Sequence, residues 1–139
     1  MISAIDTNII VSLWDAEERT YSPALSILET ASSRGGVMIC GAVFGELLAA
    51  PRRTEEFIKG FLNEANIIVD WSSSEAVWRK AGAAFQKYAA RRRRQNAAHP
   101  RRILTDFYIG AHALVNGYEL LTLDAKIYRA AFPTLRISV

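Results

Sequence analysis

The feature that most restricts this chain is an alternation. Apolar runs too short for a helix recur between longer amphipathic stretches. Met1–Ile5 is apolar and stops at Asp6, and Val37–Cys40, Ile67–Trp71, Glu119–Leu123 and Leu135–Val139 repeat the pattern. Runs of this length read as strands. Strands alternating with helices imply an α/β fold: a mostly parallel sheet covered on both faces and joined by right-handed crossovers. Half of the 139 residues are hydrophobic, which is enough to cover a sheet twice.

The intervening segments carry helix signals. A helix starts from Thr7 onward. Ser22 before Pro23 predicts an N-cap with proline at the first helical position, and Gly35-Gly36 ends that helix. The stretch AVFGELLAA follows Gly41 and closes at Pro51, and Thr54 caps a helix striped by Phe57, Ile58, Phe61 and Leu62. Ser72 and Glu75 have the spacing of a capping box. The long helix after them carries Trp78, Ala81, Phe85 and Tyr88 on one side and dissolves into Arg91–Arg94. Beyond Pro100 a helix runs from about Ile103 to Asn116, with Gly117 at C′, and a short helix through Tyr128 stops at Pro133. No repeat or low-complexity linker divides the chain, so residues 1–139 are expected to form one domain.

Composition removes several function classes. Cys40 is the only cysteine, which excludes an internal disulfide and a multi-cysteine zinc site. No stretch approaches the roughly 18 consecutive apolar residues of a membrane span. The first dozen residues hold Asp6 and no base, so no secretory leader is expected and the cytoplasm is the expected compartment. The net charge of +3 conceals a segregation: nine bases and no acid lie between Arg79 and Thr105, leaving eight bases against all 14 acids elsewhere. Such a basic segment on an acidic body suits a polyanion, and reads equally as a solvated helix end.

Four acids occupy unusual positions. Asp6 ends the first strand, Glu46 interrupts an apolar helix, Asp106 opens the helix DFYIGAHAL, and Asp124 ends LLTLD. In a parallel sheet the carboxyl ends of the strands and the adjoining helix starts share the edge where ligands bind. Two carboxylates about 5 Å apart repel by roughly 3 kcal/mol at an effective dielectric near 20, so four together would protonate or recruit a cation. Oxygen-only ligation favours Mg²⁺ or Mn²⁺. Single acids have plainer readings: Asp6 and Asp124 as helix caps, Asp106 as a charge favoured by the helix dipole. Glu46, flanked by Val43, Phe44, Leu47 and Leu48, has no such explanation.

The strings AIDTNII, GAVFGELLAAP, ILTDFYIGAHAL and LLTLD resemble the acidic motifs of PIN-domain ribonucleases, most closely the VapC toxins of bacterial toxin–antitoxin pairs. The resemblance runs from Ser3 to the final strand with the motifs in the family's order. It implies a three-layer α/β/α sandwich, usually dimeric, with Asp6, Glu46, Asp106 and Asp124 as the catalytic, metal-binding acids. Thr7 and Asn8 would support Asp6, and Thr122 matches a hydroxyl that positions phosphate or a metal-bound water. The implied activity is Mg²⁺- or Mn²⁺-dependent RNA cleavage: a metal-activated water attacks the phosphodiester, leaving the phosphate on the 5′ side. The implied partners are RNA, a cognate antitoxin and a second copy of the chain. Arg91, Arg92, Arg93, Arg94, Arg101 and Arg102 are candidates to guide the RNA backbone.

Other residues have less to say. His112 lies about 240° round the helix from Asp106 and is expected to pack, and His99 is read as loop. Cys40 is expected to be a small buried hydrophobe, and Lys126 a solvated lysine. Trp14, Trp71 and Trp78 could stack on bases, but core or interface is the preferred reading. Ile9–Trp14 and Thr54–Leu62 are candidate apolar surfaces for a partner. A haloacid-dehalogenase-like phosphatase requires a second aspartate where Asn8 stands, and a receiver domain requires paired acids at its first strand. The remaining alternative is an RNA- or protein-binding module that keeps the fold without catalysis.

Overall fold

The computed structural model describes residues 1–95 and 102–139. Five short strands, β1 (Ser3–Ile5), β2 (Val37–Cys40), β3 (Ile67–Asp70), β4 (Glu119–Leu121) and β5 (Ile137–Ser138), form one sheet in the order β3-β2-β1-β4-β5. All four pairings are parallel, with Ser3 opposite both Val37 and Glu119. Burial follows that order. Of the three inner strands, every residue of β1 and β4 and all but Met38 of β2 are buried, whereas the edge strands β3 and β5 are only partly covered.

Among the described residues, seven helices surround the sheet: α1 (Thr7–Leu13), α2 (Tyr21–Arg34), α3 (Gly41–Leu48), α4 (Glu55–Glu64), α5 (Glu75–Arg94), α6 (Leu104–Asn116) and α7 (Ala125–Ala131). Helix α1 packs on α2 and α3, α3 packs on α4, and α5 packs most extensively on α6, with α7 touching both. The chain steps outward from β1 to β3, then crosses back to β4. Right-handed crossovers therefore put α1–α4 on one face and α5–α7 on the other, which makes the three layers. The core between them includes Ile9, Ile39, Leu47, Ile58, Ile109 and Leu120, all essentially inaccessible.

Several boundaries differ from expectation for local reasons. Helix α2 begins at Tyr21 after Thr20, so Ser22 and Pro23 lie inside its first turn. The cap of α5 is Ser74, whose hydroxyl accepts from Val77 N. Ser72 instead turns back to the end of β3, its N–H and hydroxyl both donating to Asp70. Arg91–Arg94 do not unravel the helix; they form its last turn, where cations complement the carbonyl end of the dipole. Strand β4 stops at Leu121, and β5 spans only Ile137–Ser138. Thr54 caps α4 through Phe57 N, and Gly117 takes a left-handed φ of 72° after α6, both as expected.

Candidate active site

The sheet order places β1 beside β4, and the chain leaves these neighbours on opposite faces. A crevice opens at the carboxyl ends of two such strands. Asp6 follows β1 directly, and Thr122 and Asp124 follow β4. Glu46 reaches the crevice from the second turn of α3 and Asp106 from the first turn of α6. All four acids line one cleft of about 280 Å³, together with Thr7, Asn8, Val11, Arg102 and Tyr128.

Asp6 is held on both oxygens and is only 6% exposed. One oxygen accepts from Thr7 N at 2.8 Å, which caps α1. The other accepts from Thr122 Oγ1 at 2.8 Å, Tyr128 Oη at 3.0 Å and Asn8 Nδ2 at 3.3 Å. Burial nevertheless raises its pKa to about 6; those donors oppose the rise and the charge of Asp106 adds to it. Burial, and then the negative charges of Asp6, Asp106 and Glu46, push the Tyr128 phenol well above its ordinary range, so it stays protonated and donates. Asn8 also accepts from Leu123 N, and Thr122 Oγ1 accepts from Asp124 N, which ties the ends of β1 and β4 together.

The other three acids have partners of their own. The hydroxyl of Thr7 donates to Glu46 Oε1 at 2.6 Å, so Thr7 serves Asp6 through its backbone and Glu46 through its side chain. Asp106 Oδ2 accepts from Ile103 N at 3.2 Å. Asp124 makes no capping bond to α7; its carboxylate pairs with the Arg102 guanidinium at 2.6 Å. Partial burial works against the charge of Arg102, but the bond to Asp124 and the charges of Asp124 and Asp106 more than offset it. Among the described residues, no three or more Asp, Glu, His or Cys side chains already stand as a metal-holding group.

A second hollow of about 650 Å³ adjoins the cleft and shares Arg102 with it. Arg92, Lys126, Tyr88 and Phe107 contribute to its wall. Of the expected backbone-guiding arginines, Arg91, Arg93 and Arg94 are exposed on α5, Arg92 is half-buried, and Arg101 lies outside the described residues, as does His99. His112 is buried away from the acids, its Nε2 2.9 Å from Asp70 and its ring between Tyr108 and Tyr118. Cys40 is buried as expected. Trp71 and Trp78 are not core: they are 65% and 49% exposed beside an apolar hollow of about 310 Å³. Ile9 and Ile10 are likewise core and not surface, leaving Val11 and Phe57 as the exposed apolar groups of the two candidate partner segments.

The sequence profile of the PIN domain matches residues 4–133. The chain belongs to the PIN-domain family. Solved PIN-like structures agree in fold. VapBC-1 from nontypeable Haemophilus influenzae is 20% identical over 99% of this chain and 97% of that one, with a TM-score of 0.65. A toxin–antitoxin complex from Klebsiella pneumoniae is 18% identical over 99% and 96%, with a TM-score of 0.63. Mycobacterium tuberculosis VapC20, a sarcin–ricin-loop-cleaving toxin, is 16% identical over 96% and 98%, with a TM-score of 0.66. No curated protein matches the sequence. The PIN fold is thus present with its five-stranded parallel sheet, and no helix among the described residues is long and apolar enough to cross a membrane.

One residue that contacts the acids, Tyr128, is not singled out by the sequence, and Arg102 is singled out for another role. Tyr128 carried a signal in retrospect: it stands four residues after Asp124, one helical turn further along the same face. Arg102 was noticed as a base for RNA, but nothing local marks it as the partner of Asp124.

Proposed function

We propose that this PIN-domain protein is a divalent-metal-dependent endoribonuclease, the toxin of a toxin–antitoxin pair acting in the cytoplasm. One observation carries the reading: four carboxylates from distant parts of the chain line a single small cleft, beside a hollow edged by Arg92, Arg102 and Lys126. A folded chain gains nothing from that concentration of negative charge unless a cation is to be received. The donor set suits Mg²⁺ or Mn²⁺, being oxygen only and rich in carboxylate.

Asp6, Glu46, Asp106 and Asp124 would hold the ion. When bound, a divalent ion lowers the pKa of a water and offsets charge on a phosphoryl group. The protein supplies orientation. Thr122, Tyr128, Asn8 and the Thr7 backbone keep the Asp6 carboxylate in one pose, and the Thr7 hydroxyl does the same for Glu46. The basic hollow would track the RNA backbone towards the acids. The fold shared with VapBC-1 and with the Klebsiella toxin–antitoxin complex supports a cognate antitoxin as partner. We expect a homodimer in solution as well.

The test is cleavage of a structured RNA by purified protein. Cleavage should require Mg²⁺ or Mn²⁺, stop with EDTA, and fall at least about 100-fold in Asp6→Asn and Asp106→Asn, the upper end of what altered metal surroundings usually cost. RNA binding that persists with no cleavage under any divalent ion would favour the non-catalytic module instead.

A further inference from the structure

Arg102 is the one cation in the lining of the acid cleft among the described residues, and it also walls the adjoining basic hollow. Its guanidinium lies 2.6 Å from Asp124 Oδ2, and both side chains are about one-third exposed. The backbone of Arg102 is anchored independently, its N–H donating to Tyr88 Oη at 3.2 Å. The pair is therefore a tether: a fixed main chain, a long flexible side chain and an accessible ion pair at its tip. Asp124 has no capping bond to hold it otherwise. A guanidinium has no acceptor lone pairs and cannot share a carboxylate oxygen with an incoming ion at no cost, but it binds phosphate as readily as carboxylate.

Building on the nuclease reading, we propose that Arg102 exchanges partners: it holds Asp124 while the cleft lacks a divalent ion, and takes an RNA phosphate in the basic hollow when that ion claims the carboxylate. Two consequences follow. Arg102 competes with the ion, so its removal tightens ion binding. Phosphate draws Arg102 away from Asp124, so phosphate and ion bind cooperatively in the wild type, and reciprocally. A bracing Arg102 would also repel the ion through its charge, but it would not couple phosphate to the ion, so the second consequence separates the two.

The experiment measures free Mn²⁺ by electron paramagnetic resonance during titration of the full chain, with and without saturating uridine 5′-monophosphate, a phosphate ligand that offers no bond to cleave. Arg102→Met keeps the aliphatic stem, Arg102→Lys keeps charge without the fork, and Lys59→Ala alters net charge on α4, where Lys59 pairs with Glu55. Far-UV circular dichroism and urea midpoints confirm that each variant is folded. We expect Arg102→Met to bind Mn²⁺ about three- to tenfold more tightly than wild type, a range set by the strength of a part-exposed ion pair plus the loss of one repelling charge. Arg102→Lys should fall between, and Lys59→Ala should stay within about twofold. The nucleotide should tighten Mn²⁺ binding in the wild type and lose that effect in Arg102→Met. Equal or weaker Mn²⁺ binding by folded Arg102→Met, or an unchanged nucleotide effect, overturns the exchange while leaving the nuclease reading intact. Absence of Mn²⁺ binding by the wild type overturns both.

Discussion

Asp6 concentrates the conflict on which the cleft is built: a carboxylate buried among donors, with further carboxylates close by. Its pKa of about 6 lies above the ordinary 3.8, so the native chain binds this proton more tightly than the unfolded one. For a raised pKa the stabilisation is complete below the unfolded value and lost as pH climbs through the folded one. The window is therefore about pH 4 to 6. In EDTA, the stability of the wild type minus that of Asp6→Asn should fall by about 2–3 kcal/mol between pH 4 and 7.5, at 1.36 kcal/mol per unit. Urea unfolding at both ends of that range tests it, and a pH-independent difference would refute it. The acids themselves were legible one by one, Asp6, Asp106 and Asp124 where a strand or helix starts or stops and Glu46 as a charge inside an apolar helix. The donors on Asp6 were only partly legible. Thr7 and Asn8 are adjacent in sequence, but Tyr128 lies 122 residues away and reaches Asp6 only through sheet order.

Helix α6 shows how an element delivers a side chain to that cleft. Asp106 stands in its first turn, and the next seven residues, Phe107 to Ala113, are all buried. The helix can sit that deep because Gly110 has no side chain. A Cβ there would come 2.4 Å from the ring of Phe132 and 3.0 Å from that of Tyr128, both rings being buried. Gly110→Ala should therefore cost about 1–3 kcal/mol by overpacking, even though alanine is the better helix former. The clash falls first on Phe132, but Tyr128 is pressed as well and it donates to Asp6, so RNA cleavage should drop further than the lost stability accounts for. Thermal unfolding and initial cleavage rates at a temperature where the variant is fully folded separate the two effects. Element positions followed from apolar periodicity, and the caps at Gly35, Thr54 and Gly117 from the local residue types. The misplacements at Ser22 and Ser72 share one cause: several residues in each stretch can cap, and their other contacts choose among them. Thr20 meets Ser12 eight residues back, and Ser72 is taken by a local turn onto Asp70 two residues before it.

Across the molecule, the four acids share one cleft, and Arg92, Arg102 and Lys126 wall the hollow beside it, the path proposed for RNA. RNA affinity should then fall steeply with salt, each phosphate contact on a single strand contributing about −0.7 to the slope of log K against log [salt]. Lys126→Ala, which removes an exposed base from the wall of the hollow, should lower that slope by about 0.7, whereas Lys59→Ala should not alter it. Fluorescence anisotropy with a labelled single-stranded RNA, in EDTA to prevent cleavage, measures both. An equal slope in all three proteins would remove Lys126 from the path.

The order of strands and helices, the apolar interior and the positions of the four acids are all written locally. Side-chain period and turn chemistry extend over a few residues, and a single chain displays them directly. Which strands become neighbours is not written that way. Placing β4 beside β1 joins Thr122 to Asp6 across 116 residues, and folding likewise sets Arg102 on Asp124 and His112 on Asp70. These contacts depend on how the crossovers close, a property of the whole packed core, and so they emerge only when the layers assemble.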